Sequence, residues 1–141
     1  MSEAQTKKKR SPKRASPRRA GHPVPGLTGP LLQFDLSAET EQLRQEGPWK
    51  TTSRNAKTLV KYADLRVVLI VMKSGTRMEG HRADGSISIQ SLTGKLYLHL
   101  PHQAVELPVG CLLTLERALP HYVEALEDSS FLLTISWPKG A

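Results

Sequence analysis

From Thr58 onward the chain breaks into short apolar runs separated by turn signals, and this rhythm constrains the fold more than any other feature. TLVKY, LRVVLIVMK, ISIQSL, KLYLHL, AVEL, CLLTLE and FLLTISW are rich in β-formers, and KSG, ADG, LTG and PVG separate many of them. Runs of this length between Gly, Pro, Asp and Ser clusters read as strands. Seven or eight of them in about eighty residues, with no strong helix between, predict a small all-β sandwich or barrel. In KLYLHL the alternation is strict. It places Leu96, Leu98 and Leu100 on the core face and Tyr97 and His99 on the other. Residues 67–72, VVLIVM, are apolar on both parities and predict a strand covered on both sides.

The part before Thr58 has another texture. Residues 1–30 hold almost nothing to bury and are broken by Pro and Gly. Such a segment cannot offset the entropy of ordering, so a disordered tail is expected. A short helix is predicted over SAETEQLRQEG, with Ser37 as N-cap and Gly47 as C-cap. The expected organisation is therefore a tail (1–30), a leader with one short helix (31–57) and a single β domain (58–138). A chain of 141 residues suffices for one core and no more.

Net charge is +7, but the excess is local. Of the 20 Lys and Arg, eight lie in residues 1–30, whereas of the 13 acids only Glu3 does, which leaves twelve of each sign in 31–141. A basic nucleic-acid-binding domain is thereby excluded, and only the tail offers such a surface. Its SPKR (11–14) and SPRR (16–19) units look like the Ser-Pro-basic repeats of some DNA-associated tails. Contact would run through phosphates and counterion release, without base stacking, because no aromatic residue lies in 1–30. The same charges would also be drawn to an anionic membrane surface, and a solubilising extension with no specific partner is the plainer reading. Cys111 is the only cysteine, no stretch is long and apolar enough to span a membrane, and no secretory signal is recognisable; a cytoplasmic location is expected.

The candidate site lies in residues 75–94, GTRMEGHRADGSISIQSLTG. Its intervals, Gly75-x5-His81-x-Ala83-x3-Ile87-x6-Gly94, match a glycine-bounded pattern that usually reads G-x5-H-x-H-x3–4-E-x6-G. A second pattern, G-x5-P-x-G-x2-H-x3-N, aligns without a gap: Gly110, Glu116, Ala118, His121 and Ala125 occupy its named positions. The two together, over roughly residues 58–138, resemble the paired motifs of the cupin superfamily, in particular small single-domain cupins of the type-2, RmlC-like kind. The resemblance implies a double-stranded β-helix, or jelly-roll barrel, with a pocket inside. It also implies a homodimer, since many cupins pair through their sheets, and turns at Gly75, Gly94 and Gly110.

In metal-binding cupins two His and a Glu of the first motif and the His of the second hold one divalent ion. Here His81 and His121 remain, while Ala83 and Ile87 replace the second His and the Glu. Catalytic sites usually retain about three protein ligands and structural zinc sites about four, so two imidazoles imply a weak or absent metal site. Glu79, two residues before His81 and hence on the same strand face, is the candidate for a third ligand to Fe, Mn, Ni or Zn. The first expectation is a non-enzymatic cupin that binds or senses a small molecule, with His81, His121, Ala83 and Ile87 lining its pocket and no cofactor. A metal-dependent oxygenase or isomerase with a reduced ligand set is the second. A passive scaffold whose tail docks on nucleic acid is the third. His99 and His102 are expected to be solvated loop residues, and Cys111 a buried, inert thiol at the start of a strand.

Overall fold

The computed structural model describes residues 27–79 and 84–138. The chain divides after Leu32, and all helices and strands among the described residues belong to the second unit. Two short helices, α1 (Leu36–Gln45) and α2 (Gly47–Thr52), precede nine strands. The strands are β1 (Arg54–Lys61), β2 (Leu65–Met72), β3 (Arg77–Glu79), β4 (Ser86–Thr93), β5 (Lys95–His99), β6 (Ala104–Pro108), β7 (Leu112–Leu115), β8 (Tyr122–Ala125) and β9 (Ser129–Ser136). They form two antiparallel sheets, β1-β2-β9-β4-β7 and β3-β8-β5-β6. Apart from the pairs β1–β2 and β5–β6, successive strands alternate between the two sheets, as in a jelly roll.

One apolar cluster faces inward from both sheets, with Ile70, Met72, Ile87, Ile89, Phe131 and Leu115 from the larger and Leu96, Leu98, Leu107, Val123 and Ala125 from the smaller. The predicted alternation in β5 holds: Leu96 and Leu98 are fully buried, and Tyr97 and His99 are half-buried on the opposite face. The two-sided burial predicted for 67–72 also holds in its second half. Ile70 and Met72 enter the cluster, while Leu69 and Val71, of the other parity, are equally buried. Helix α1 packs on β2 and supplies Leu43, 2% exposed. Burial of each such side chain contributes about 1.5–3 kcal/mol, so the helix is part of the fold's stability.

The helical leader differs from expectation at both ends. Asp35 is the N-cap of α1, its carboxylate accepting from the Ala38 N–H at 3.1 Å, and Ser37 lies inside the helix. A carboxylate caps an N–H and also meets the positive end of the helix dipole, an advantage a serine hydroxyl lacks. Gly47 does not end α1; it opens α2, because Pro48 is suited to the first helical turn. Strand β1 accordingly begins at Arg54, ahead of Thr58. Helix and strand are joined by Lys57 Nζ to Glu39 Oε1 at 2.7 Å and by Asn55 Nδ2, which donates to Leu43 O and Glu46 Oε1.

Two strands have no signature in the sequence. β3 and β8 are three and four residues long, too short to display a period, and they pair with each other, Met78 opposite Val123. Cys111 is exposed, contrary to expectation. It belongs to the turn before β7, its N–H donating to Pro108 O, and so precedes the alternation that buries Leu115. Gly75, Gly94 and Gly110 all take positive φ, at 84°, 80° and 87°. Gly94 is the most constrained, because a Cβ there would strike the Asp128 carbonyl and Ser129. No described helix is long and apolar enough to cross a membrane.

Candidate functional site

Between the two sheets lies a cavity of about 910 Å³. Its apolar wall follows from register. β9 runs between β2 and β4, and its Phe131 faces Ile70 across one ladder while Leu133 and Ile135 face Ile89 and Ile87 across the other. All six side chains line the cavity, with Met78 and Val123 of the smaller sheet opposite.

Of the residues singled out from the sequence, Glu79, Ile87 and His121 are brought to this one cavity. Ile87 is 5% exposed and paired in register with Ile135 and Leu115. His121 directly precedes β8, and its Nδ1 lies 3.0 Å from Leu119 O. A carbonyl only accepts, so Nδ1 carries the proton and Nε2 is left as the free ring nitrogen. Glu79 also borders the cavity, but at the end of β3 opposite Tyr122, on the face turned away from Met78 and Val123. His81 and Ala83 fall outside the described residues.

The polar rim could not be anticipated from the sequence. Arg54, at the start of edge strand β1, donates from Nη1 to the Arg77 carbonyl on edge strand β3 at 3.2 Å, tying the two sheets together beside the cavity. The Arg77 guanidinium lies over the Tyr122 ring, 5.2 Å from its centroid. Trp137, just after β9, lines the cavity with Arg66 5.5 Å from its ring. Arginines at strand ends look like solvated surface in a sequence, so no local signal marked them.

The two histidines expected in solvated loops part company. His102 is exposed, as expected, but His99 closes β5 and sits 2.8 Å from Glu124 Oε1. The antiparallel pairing of β5 with β8 places Glu124 opposite Tyr97 and Tyr122 opposite His99, contacts that no interval in the sequence announces.

No family profile matches the sequence, and no curated relative does. Solved structures do match. A cupin superfamily protein from Desulfitobacterium hafniense aligns with a TM-score of 0.64 at 12% identity, over 80% of this chain and 96% of its own. The chain has the cupin fold. A conserved protein of unknown function from Streptococcus pyogenes aligns at 0.63 with 18% identity, over 86% of this chain and all of its own. The cupin_2 domain of an XRE family transcriptional regulator from Enterobacter cloacae aligns at 0.54 with 16% identity, over 62% and 99%.

One backbone feature falls at a position of the second sequence pattern. Ala118, at the motif's second glycine position, has φ of 65°, a left-handed conformation that glycine takes freely and alanine does not. The ligand positions are a different matter. Ile87 puts hydrocarbon into the cavity wall, and Glu79 borders the cavity from the face of β3 opposite to Met78. Among the described residues no three of His, Cys, Asp and Glu stand close enough to share an ion. Isoleucine has no donor atom, so this part of the wall does not fit a divalent cation.

Proposed function

We propose that this cupin is a non-enzymatic binding or sensing module that takes a small organic molecule into the cavity between its sheets. The observation that carries the reading is Ile87, buried in the cavity wall at the position of the missing carboxylate. Removing that charge weakens any hold on a cation and at the same time extends an apolar wall suited to hydrocarbon. The volume falls near the upper end of ordinary small-molecule pockets, about 300–1,000 Å³. His121 offers one polar contact through Nε2, and His81 and Ala83 complete the site in this reading. The occurrence of the same fold as one domain of a transcriptional regulator supports a sensing role. Assembly as a homodimer belongs to the same reading.

Untargeted mass spectrometry of tag-free protein, together with metal analysis, tests it. An organic molecule that copurifies in the wild type and is lost on narrowing the cavity with Ile89→Phe is the expected result. Near-stoichiometric Fe, Mn, Ni or Zn that disappears in a His81→Ala, His121→Ala double variant would overturn it in favour of the metal-dependent enzyme.

A further inference from the structure

We propose that the ligand is a small carboxylate with an apolar body, held by its head group at Arg54. This deepens the binding reading above and rests on it. The argument starts from the mismatch between wall and rim. A ligand polar throughout would lose its hydration against Ile70, Ile87, Phe131 and Ile135 without gaining partners, so most of its surface must be hydrocarbon. Its polar end must then meet the rim, where four ionisable side chains stand: Arg54, Arg77, Glu79 and His121.

Register separates them. Arg77 pairs with Glu124 and Glu79 with Tyr122, on the face of β3 opposite to Met78, and the Arg77 guanidinium is already occupied by the Tyr122 ring. Arg54 is opposite Met72, a core residue, and shares its face of β1 with Ala56, which is opposite Ile70. Its guanidinium is therefore the cation on the cavity side. One N–H is used on the Arg77 carbonyl, which fixes the group in place, and no described carboxylate pairs with it. The remaining N–H groups form a planar fork that suits two carboxylate oxygens and repels an ammonium. His121, its Nε2 free, stands at the same cavity and adds no negative charge.

A head-group series tests this on the full-length chain. Octanoate, octanol and octylamine share one tail and differ in charge. Trp137 lines the cavity and Trp49, the other tryptophan, does not, so Trp137 fluorescence in a Trp49→Phe background reports binding, with calorimetry on the wild type as control. Octanoate should bind about tenfold or more tighter than octanol, with octylamine weakest, as expected for one charge-assisted hydrogen-bonded pair. Arg54→Gln should bring octanoate to the level of octanol and leave octanol unchanged, while Arg54→Lys keeps part of the preference. Equal affinity of wild type for octanoate and octanol would overturn the carboxylate assignment and leave the binding reading standing. Failure of all three probes to bind would overturn both. Should Arg54→Gln fold poorly, the wild-type series and Arg54→Lys still decide.

Discussion

His99 lies flat against Tyr122, ring centroids 4.2 Å apart and planes within 7°, while its Nε2 meets Glu124 Oε1 at 2.8 Å. Tyr97 meets His99 edge-on, ring centroids 5.4 Å apart, and the Arg77 guanidinium covers Tyr122. Strands β3, β8 and β5 of the smaller sheet are thus stitched on their outer face by rings and charges, while Leu96, Leu98 and Val123 do the same work within.

His99→Ala should therefore destabilise the fold by about 1–2 kcal/mol, the sum expected of a ring contact and a half-exposed charged hydrogen bond. His102→Ala, on an exposed turn residue, should stay within about 0.5 kcal/mol. Urea unfolding of the two variants side by side checks this. Equal midpoints would mean that the His99 contacts contribute nothing to stability.

Ala118→Gly should stabilise the protein by about 0.5–1 kcal/mol. The left-handed conformation penalises alanine by roughly 1–2 kcal/mol, and the extra freedom of glycine in the unfolded chain returns only part of that. The unfolding midpoint should rise with an unchanged denaturant slope. A fall would mean that Ala118 is not strained.

Ile87→Glu should be severely destabilising without metal, by about 2–4 kcal/mol at neutral pH, because a carboxylate would be buried among isoleucines. Burial raises the folded-state pKa of the introduced group above its unfolded value. The defect should thus be largest above the folded pKa and shrink as pH falls toward the unfolded one. Combining it with Ala83→His should let Zn²⁺ or Ni²⁺ raise the melting temperature, an effect absent from the wild type. Thermal melts from pH 4 to 8, with and without metal, provide the check.

Deleting residues 1–30 should remove any affinity of the chain for polyanions while leaving the melting temperature of the β domain unchanged. Before deletion, retention on duplex DNA should fall with salt at a log–log slope of about −0.9 per phosphate contacted. DNA retention that survives the deletion would locate binding elsewhere and refute the tail reading.

How far the sequence could be read is clearest from particular residues. β5 was legible because five residues suffice to display a period of two, and the three motif glycines because their turns demand positive φ. β3 and β8 were not, since RME and YVEA lack the run of apolar β-formers that marked β7, and the two strands pair with each other. Ser37 was the expected cap of α1, but Asp35 takes that place, its carboxylate accepting from the Ala38 N–H. Ile87 could be assigned to the cavity from its interval to Gly75 and Gly94. Arg54 could not, because its role comes from the approach of two sheet edges.

The sequence by itself determined an all-β domain, turns at Gly75, Gly94 and Gly110, and the residue types, Ala83 and Ile87, at two positions of a motif-like spacing. These are consequences of local rules: alternation, positive φ and the chemistry of single side chains. Only the tertiary structure decided that Arg54 stands at the cavity rim, that Glu79 reaches the same rim from the opposite face of β3 to Met78, that His99 is locked to Tyr122 and Glu124, and that Cys111 is exposed. Each of those depends on which strands a jelly roll makes neighbours, and contacts between residues distant in sequence leave no mark on the order in which the residues are written.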